Sequence, residues 1–175
     1  FAGYHRDLDG TPVSITLAAS LFELRGITID ATWNTTEVFV FGAESNGSPT
    51  PASVLRDSSG TMLTLQAGAA YVRMCNVMIQ GPIVVLDGRL EVFNCRFQES
   101  TVGRRMQSSA QRTTTAAAIH VESGAIVLDA VTFDGFGTRA VTVTSGRLDA
   151  SGCTIKNYHG ADWAGGMKVM GGKVQ

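Results

Sequence analysis

The side chains of this 175-residue chain that could do chemistry are few and far apart. His120 and Glu122, with Asp87 and Arg89, are the nearest approach to an acid–base cluster. A β-elimination needs several carboxylates to hold Ca²⁺ and an Arg or Lys base beside them, and one or two carboxylates do not make a calcium cage. Cys75, Cys95 and Cys153 are odd in number, and none has a C-x-x-C or Cys/His spacing, so neither a metal nor another cofactor is expected. Arg104, Arg105 and Arg112 lie in the acid-free segment 100–117, which reads as an inserted loop. Loops of that length are functional or solvated excursions, and with Arg89 and Arg147 these arginines are the residues expected to meet a partner or ligand. Asn34-Thr35-Thr36 and Asn46-Gly47-Ser48 are N-glycosylation sequons in the Thr/Ser/Gly/Pro-rich stretch 30–61, which reads as a second inserted loop. Glycans at Asn34 and Asn46, and a first residue Phe1 rather than Met, point to an extracellular or cell-surface location.

Charge and composition remove whole classes of partner. Fourteen Lys and Arg against fifteen Asp and Glu leave a formal charge of −1, with no field to gather nucleic acid. Apolar residues make up 44% of the chain, too many for a disordered tail. Apolar runs such as Ile83-Val84-Val85-Leu86 fall far short of the roughly 18 residues of a membrane span, so membrane insertion is not expected.

The elements that would position these side chains announce themselves as a repeat. With Gly68, Gly88, Gly124 and Gly146 as zero points, residues five and three before are Leu63 and Leu65, Ile83 and Val85, Ile119 and Val121, Val141 and Val143. Two and four after stand Ala70 and Val72, Leu90 and Val92, Ile126 and Leu128, Leu148 and Ala150. Seven and nine after stand Cys75 and Val77, Cys95 and Phe97, Val131 and Phe133, Cys153 and Ile155. Every slot is apolar, a coincidence on the order of 1 in 10⁸ to 10⁹ at this composition. A copy around Ser20 (Ile15, Leu17, Phe22, Leu24, Ile27, Ile29) and one at Met167-Lys168-Val169, Gly172 and Val174 frame these four. Around Gly68 a register two residues later would bury Val72, Met74, Val77 and Ile79. The Gly68 frame is preferred because it stacks Cys75 on Cys95 and Cys153.

Alternation in segments of three to five residues excludes amphipathic helices, whose apolar positions recur at three and four. Three short strands per copy, turned at Gly, Asn or Ser-Gly, predict a parallel β-helix: like strands stack into three parallel sheets about 4.8 Å per coil, with apolar ladders inside. Gly88-Arg89-Leu90-Glu91-Val92-Phe93-Asn94-Cys95-Arg96-Phe97 and Ser145-Gly146-Arg147-Leu148-Asp149-Ala150-Ser151-Gly152-Cys153-Thr154-Ile155 resemble coils of right-handed parallel β-helix proteins of the pectin-lyase-like superfamily. The resemblance implies a fold that hosts lyases, hydrolases, adhesins and structural arrays, and a site, where one exists, on outward positions. The hydrolase motifs Asn-x-Asp, Asp-Asp, Gly-His-Gly and Arg-x-Lys are absent, Tyr158-His159-Gly160 being a partial echo in a turn. Two outward columns are expected to read Ala69, Arg89, Ala125, Arg147, Lys173 and Tyr71, Glu91, Val127, Asp149, Gln175. They fit cross-strand charge pairing or the binding of a glycan. The column Thr64, Val84, His120, Thr142, Lys168 lacks the Thr ladder of ice binding. Trp33 and Trp163, near turns, fit either sugar stacking or the covering of a core end.

The expectation is therefore an all-β, single-stranded right-handed parallel β-helix of six to seven coils, one domain over 1–175 and a segment of a longer solenoid. The favoured function is a non-catalytic extracellular structural, adhesive or assembly module. Further coils or other subunits would meet its open C-terminal end, and glycans are a secondary partner. A polysaccharide-active enzyme or carbohydrate-binding module of the same fold is the alternative.

Overall fold

A computed structural model of the chain describes residues 10–33, 35–44, 50–57, 60–98, 117–136, 139–158, 166–171 and 173–174. Strands numbered in chain order fall in turn on three sheets. The first holds β1 (Val13–Thr16), β4 (Glu37–Phe41), β7 (Tyr71–Cys75), β10 (Arg89–Phe93), β13 (Ala125–Asp129), β16 (Arg147–Ser151) and β19 (Lys173–Val174). The second holds β2 (Leu21–Leu24), β5 (Ser53–Asp57), β8 (Val77–Gln80), β11 (Arg96–Gln98), β14 (Thr132–Asp134) and β17 (Thr154–Lys156). The third holds β3 (Ile27–Ile29), β6 (Leu63–Leu65), β9 (Ile83–Val85), β12 (Ala117–Val121), β15 (Arg139–Val143) and β18 (Met167–Val169). Every strand pairing is parallel and every neighbour is three strands away in sequence, which makes this a three-sided parallel β-helix. The seven-stranded sheet marks six coils and the start of another, about 29 Å of stack at 4.8 Å per coil.

Alternation drives the arrangement. Each strand turns one set of side chains inward, and stacking aligns them into ladders: Val38, Val72, Leu90, Ile126, Leu148 in the first sheet and Leu63, Ile83, Ile119, Val141 in the third. All are buried. In the second sheet Phe97 and Phe133 stack at 5.1 Å between ring centres, both with no exposed surface. Between the third and first sheets, Gly88, Gly124 and Gly146 stack with φ of +97°, +91° and +128°. A Cβ on Gly124 would strike the carbonyl oxygen of Gly88, and one on Gly146 that of Gly124, so the corner is too tight for a side chain at those two positions.

Three sequence expectations are corrected. The stretch 30–61 contains β4 and β5, both paired in the stack, so it completes a coil. Phe39 and Phe41 stand outward on β4, and apolar residues at outward positions erase the alternation that marks a strand. Around Ser20, Ile15 belongs to the first sheet, Phe22 and Leu24 to the second, and Ile27 and Ile29 to the third, so Ser20 is not the counterpart of Gly68. At Gly68 the later register holds: Val72 pairs with Leu90, Met74 with Val92 and Ile79 with Phe97. The corner there is longer, because Gln66–Ala69 forms a turn closed by the Ala69 N–H on the Gln66 carbonyl, with Gly68 at φ +74°.

That shift dissolves the expected cysteine stack. Cys75 pairs with Phe41 and Phe93 on the outer face of the first sheet. Cys95 and Cys153 point inward on one ladder, separated by Val131, and all three are free.

Candidate functional site

The outer face of the first sheet carries the densest group of polar and aromatic side chains among the described residues. Its middle column runs Phe39, Arg73, Glu91, Val127, Asp149, flanked on one side by Glu37, Tyr71, Arg89, Ala125, Arg147 and on the other by Phe41, Cys75, Phe93, Asp129, Ser151. The expected columns thus survive from Arg89 to Arg147 and from Glu91 to Asp149, with Gln175 outside the described residues, whereas Tyr71 moves beside Arg89 and the unforeseen Arg73 stands beside Glu91. One signal could have set this register: Asn76 precedes Val77 as Asn94 precedes Cys95, and both asparagines take the left-handed conformation at φ 56° and 47°.

Glu91 is the hub. Its side chain is only 6% exposed, and it accepts from Arg73 Nε and Nη2 on Oε2 at 3.1 and 2.9 Å and from Arg89 Nε and Nη2 on Oε1 at 3.0 and 2.5 Å. Arg73 also donates to Tyr71 Oη from Nε and Nη2 at 3.1 and 2.7 Å. Burial opposes ionisation of Glu91, but hydrogen bonds from Tyr71, Arg89 and Arg73 outweigh it and hold the carboxyl below its ordinary range. Burial and the neighbouring Glu91 push Tyr71 up. The Arg73 guanidinium lies 5.6, 5.5 and 5.3 Å from the ring centres of Phe39, Tyr71 and Phe93, and that of Arg89 lies 5.4 Å from Tyr71. Phe39 meets Tyr71 edge-on at 87°. Beyond the third column a groove of about 490 Å³ opens at the corner, lined by Phe41, Gly42, Glu44, Cys75, Asn76 and Asn94.

Elsewhere charges pair across or along strands. Arg147 grips both oxygens of Asp149 at 3.0 and 2.9 Å. On the second sheet Asp134 accepts from Arg96 and, at 2.6 Å, from Asn157, with Lys156 at 3.8 Å; burial raises its pKa, but the Asn157 and Arg96 hydrogen bonds leave it lowered. His120 and Glu122 are 3.7 Å apart at the C-terminal end of β12, an inner strand of the third sheet, and the column Thr64, Val84, His120, Thr142, Lys168 aligns as expected. Asp87 and Arg89 do not join that pair, since Arg89 is committed to Glu91. Among the described residues no three His, Cys, Asp or Glu gather as a metal site, and no helix is long and apolar enough to cross a membrane.

Trp33 caps the first coils rather than offering its ring: it packs on the core and donates from Nε1 to the Thr28 carbonyl at 2.9 Å. Arg104, Arg105, Arg112, Asn34, Asn46, His159 and Trp163 lie outside the described residues. As an acid–base device the face is unpromising. A glycosidase needs one carboxyl kept protonated near neutral pH, whereas Glu91 is driven toward ionisation. A thiol nucleophile needs a lowered pKa, whereas burial raises Cys75 and Cys153 and pushes Cys95 up to about 12. What the face can do is present two cations and several rings on a rigid sheet. In comparisons with known proteins, no family model, no curated protein and no solved structure matches the chain.

Proposed function

We propose that the chain is a non-catalytic structural or assembly module, a stack of β-helix coils that holds surfaces at fixed spacing for other proteins. The observation that carries this reading is how the outward charges are used: Arg73 on Glu91 and Arg96 on Asp134 fasten coil to coil, while Arg89 on Glu91 and Arg147 on Asp149 pair along a single strand. Glu91 and Asp134, both lowered and held between coils, are poor proton donors and good braces. The coil motif's resemblance to the pectin-lyase-like superfamily, whose members include adhesins and structural arrays, and the sequons at Asn34 and Asn46 support an extracellular or cell-surface setting.

Assembly through the C-terminal coil is part of the proposal. Among the described residues β17 and β18 are the last strands of their sheets, and the apolar side chains of Ile155, on β17, and Met170, just past β18, are 38% and 55% exposed. A strand edge with apolar surface beside it is a template for further coils or another subunit. The deciding experiment is the intact mass and oligomeric state of the native protein from its source, by size exclusion with light scattering. A larger product, or a complex that Ile155→Lys and Met170→Lys dissociate, is the expected result. A free monomer that cleaves polysaccharides in a screen overturns the proposal in favour of an enzyme.

A further inference from the structure

The Arg73–Glu91–Arg89 group holds more cation than its own carboxylate uses. Both guanidiniums bind Glu91 through Nε and Nη2, so Nη1 of each makes no hydrogen bond among the described residues. The Arg side chains are 40% and 58% exposed while Glu91 is 6% exposed, so the surface shows two positive groups over one buried negative one. They are held rather than floppy, because Arg73 lies across three rings. Phe41, 38% exposed, provides apolar surface beside them at the corner groove.

From this geometry we propose that the outer face of the first sheet binds an extended peptide segment of a partner protein carrying a single acidic residue followed by apolar residues. The carboxylate bridges Nη1 of Arg73 and Arg89, the apolar side chains lie on Phe41, and the peptide backbone enters the groove. Arg89 to Phe93 spans about 13 Å along β10, the reach of about four extended residues. Two features favour a peptide over an acidic glycan. Sugar stacking needs an open ring face, and guanidiniums already lie over Phe39, Tyr71 and Phe93, with Phe39 and Tyr71 edge to face. The groove also carries Glu44, which repels a polyanion leaving the arginines but accepts backbone N–H groups. This site is separate from the coil ends, so the proposal stands or falls independently of the assembly reading.

The test uses the full chain and an array of fluorescein-labelled hexapeptides with one Asp or Glu followed by two apolar residues, each paired with its Asn or Gln counterpart, read by fluorescence anisotropy. An oligogalacturonate is the glycan probe. The expected result is binding of a subset of acidic peptides, weakened tenfold or more by the amide replacement and by Arg89→Gln, and unchanged by Lys168→Gln on the third sheet. Phe41→Ser, which leaves the ion network intact, is expected to weaken the same peptides several-fold, with thermal melting confirming that each variant folds. Absence of binding across the array, equal binding of acid and amide peptides, or displacement of the peptides by oligogalacturonate overturns the proposal.

Discussion

At the scale of single residues, burial and partners decide which groups matter, and both yield measurable consequences. The Glu91 carboxyl is lowered in the fold, so its contribution to stability is present above the ordinary carboxylate range and is lost as pH falls through the lowered value. Asp134 has the same sign. Urea midpoints are therefore expected to hold between pH 7 and 5 and to decline below about pH 4. Glu91→Gln is expected to lower stability at pH 7 by about 1–2 kcal/mol, because two guanidiniums lose their common anion while keeping access to water, and to flatten the acid decline. The cysteines give an independent check. Cys95 is buried with its pKa near 12, whereas Cys75 and Cys153 are half-buried, so a thiol reagent at pH 8 is expected to label those two and spare Cys95 until the protein unfolds. Fast native labelling of Cys95 would place it outside the core. None of this was legible at Cys75 in the sequence, because a thiol suits the interior and the outer face alike and the two competing registers are equally apolar.

At the scale of elements, the corners carry the information. Asn76, Asn94, Ala130 and Gly152 precede the second-sheet strands, all with φ between 47° and 59°. Asn76 donates to the Ala43 carbonyl at 2.7 Å, which compensates its conformation, whereas the methyl of Ala130 offers no such bond. Ala130→Gly is accordingly expected to stabilise the fold by about 1 kcal/mol, the usual cost of a left-handed non-glycine residue, in thermal or urea melts. Gly124→Ala is the opposite case. Its Cβ would meet backbone of the coil below, and a loss of 2 kcal/mol or more is expected, with strain at φ +91° adding to the collision. Strands whose outward positions are polar were readable from alternation. β4 was not, because Glu37-Val38-Phe39-Val40-Phe41 is apolar on both faces and the aromatic face has a role that only its neighbours Tyr71 and Arg73 reveal.

At the scale of the whole molecule, each coil touches only the coils beside it, so stability is expected to follow position in the stack. Amide exchange should be slowest in the middle, at Ile83–Val85, Leu90–Val92 and Ile119–Val121, where the inward apolar side chains have no exposed surface. It should quicken toward β1–β3 and β17–β18, where Ile15, Phe22 and Ile155 retain exposure at inward positions. Uniform exchange along the stack would instead mean a single cooperative unit. The sequence by itself determined the class of fold, the three-strand coil and most interior ladders, because a side-chain period of two and tight glycine corners are local properties written residue by residue. Only the tertiary structure decided the register at Gly68, the hidden coil in 30–61 and the meeting of Arg73, Glu91, Arg89, Tyr71 and Phe39. Those side chains come from three different coils, and a two-residue change in one corner shifts which of them face each other. The outward neighbours of a stacked strand are fixed by the coils above and below it, and no local pattern along the chain records that.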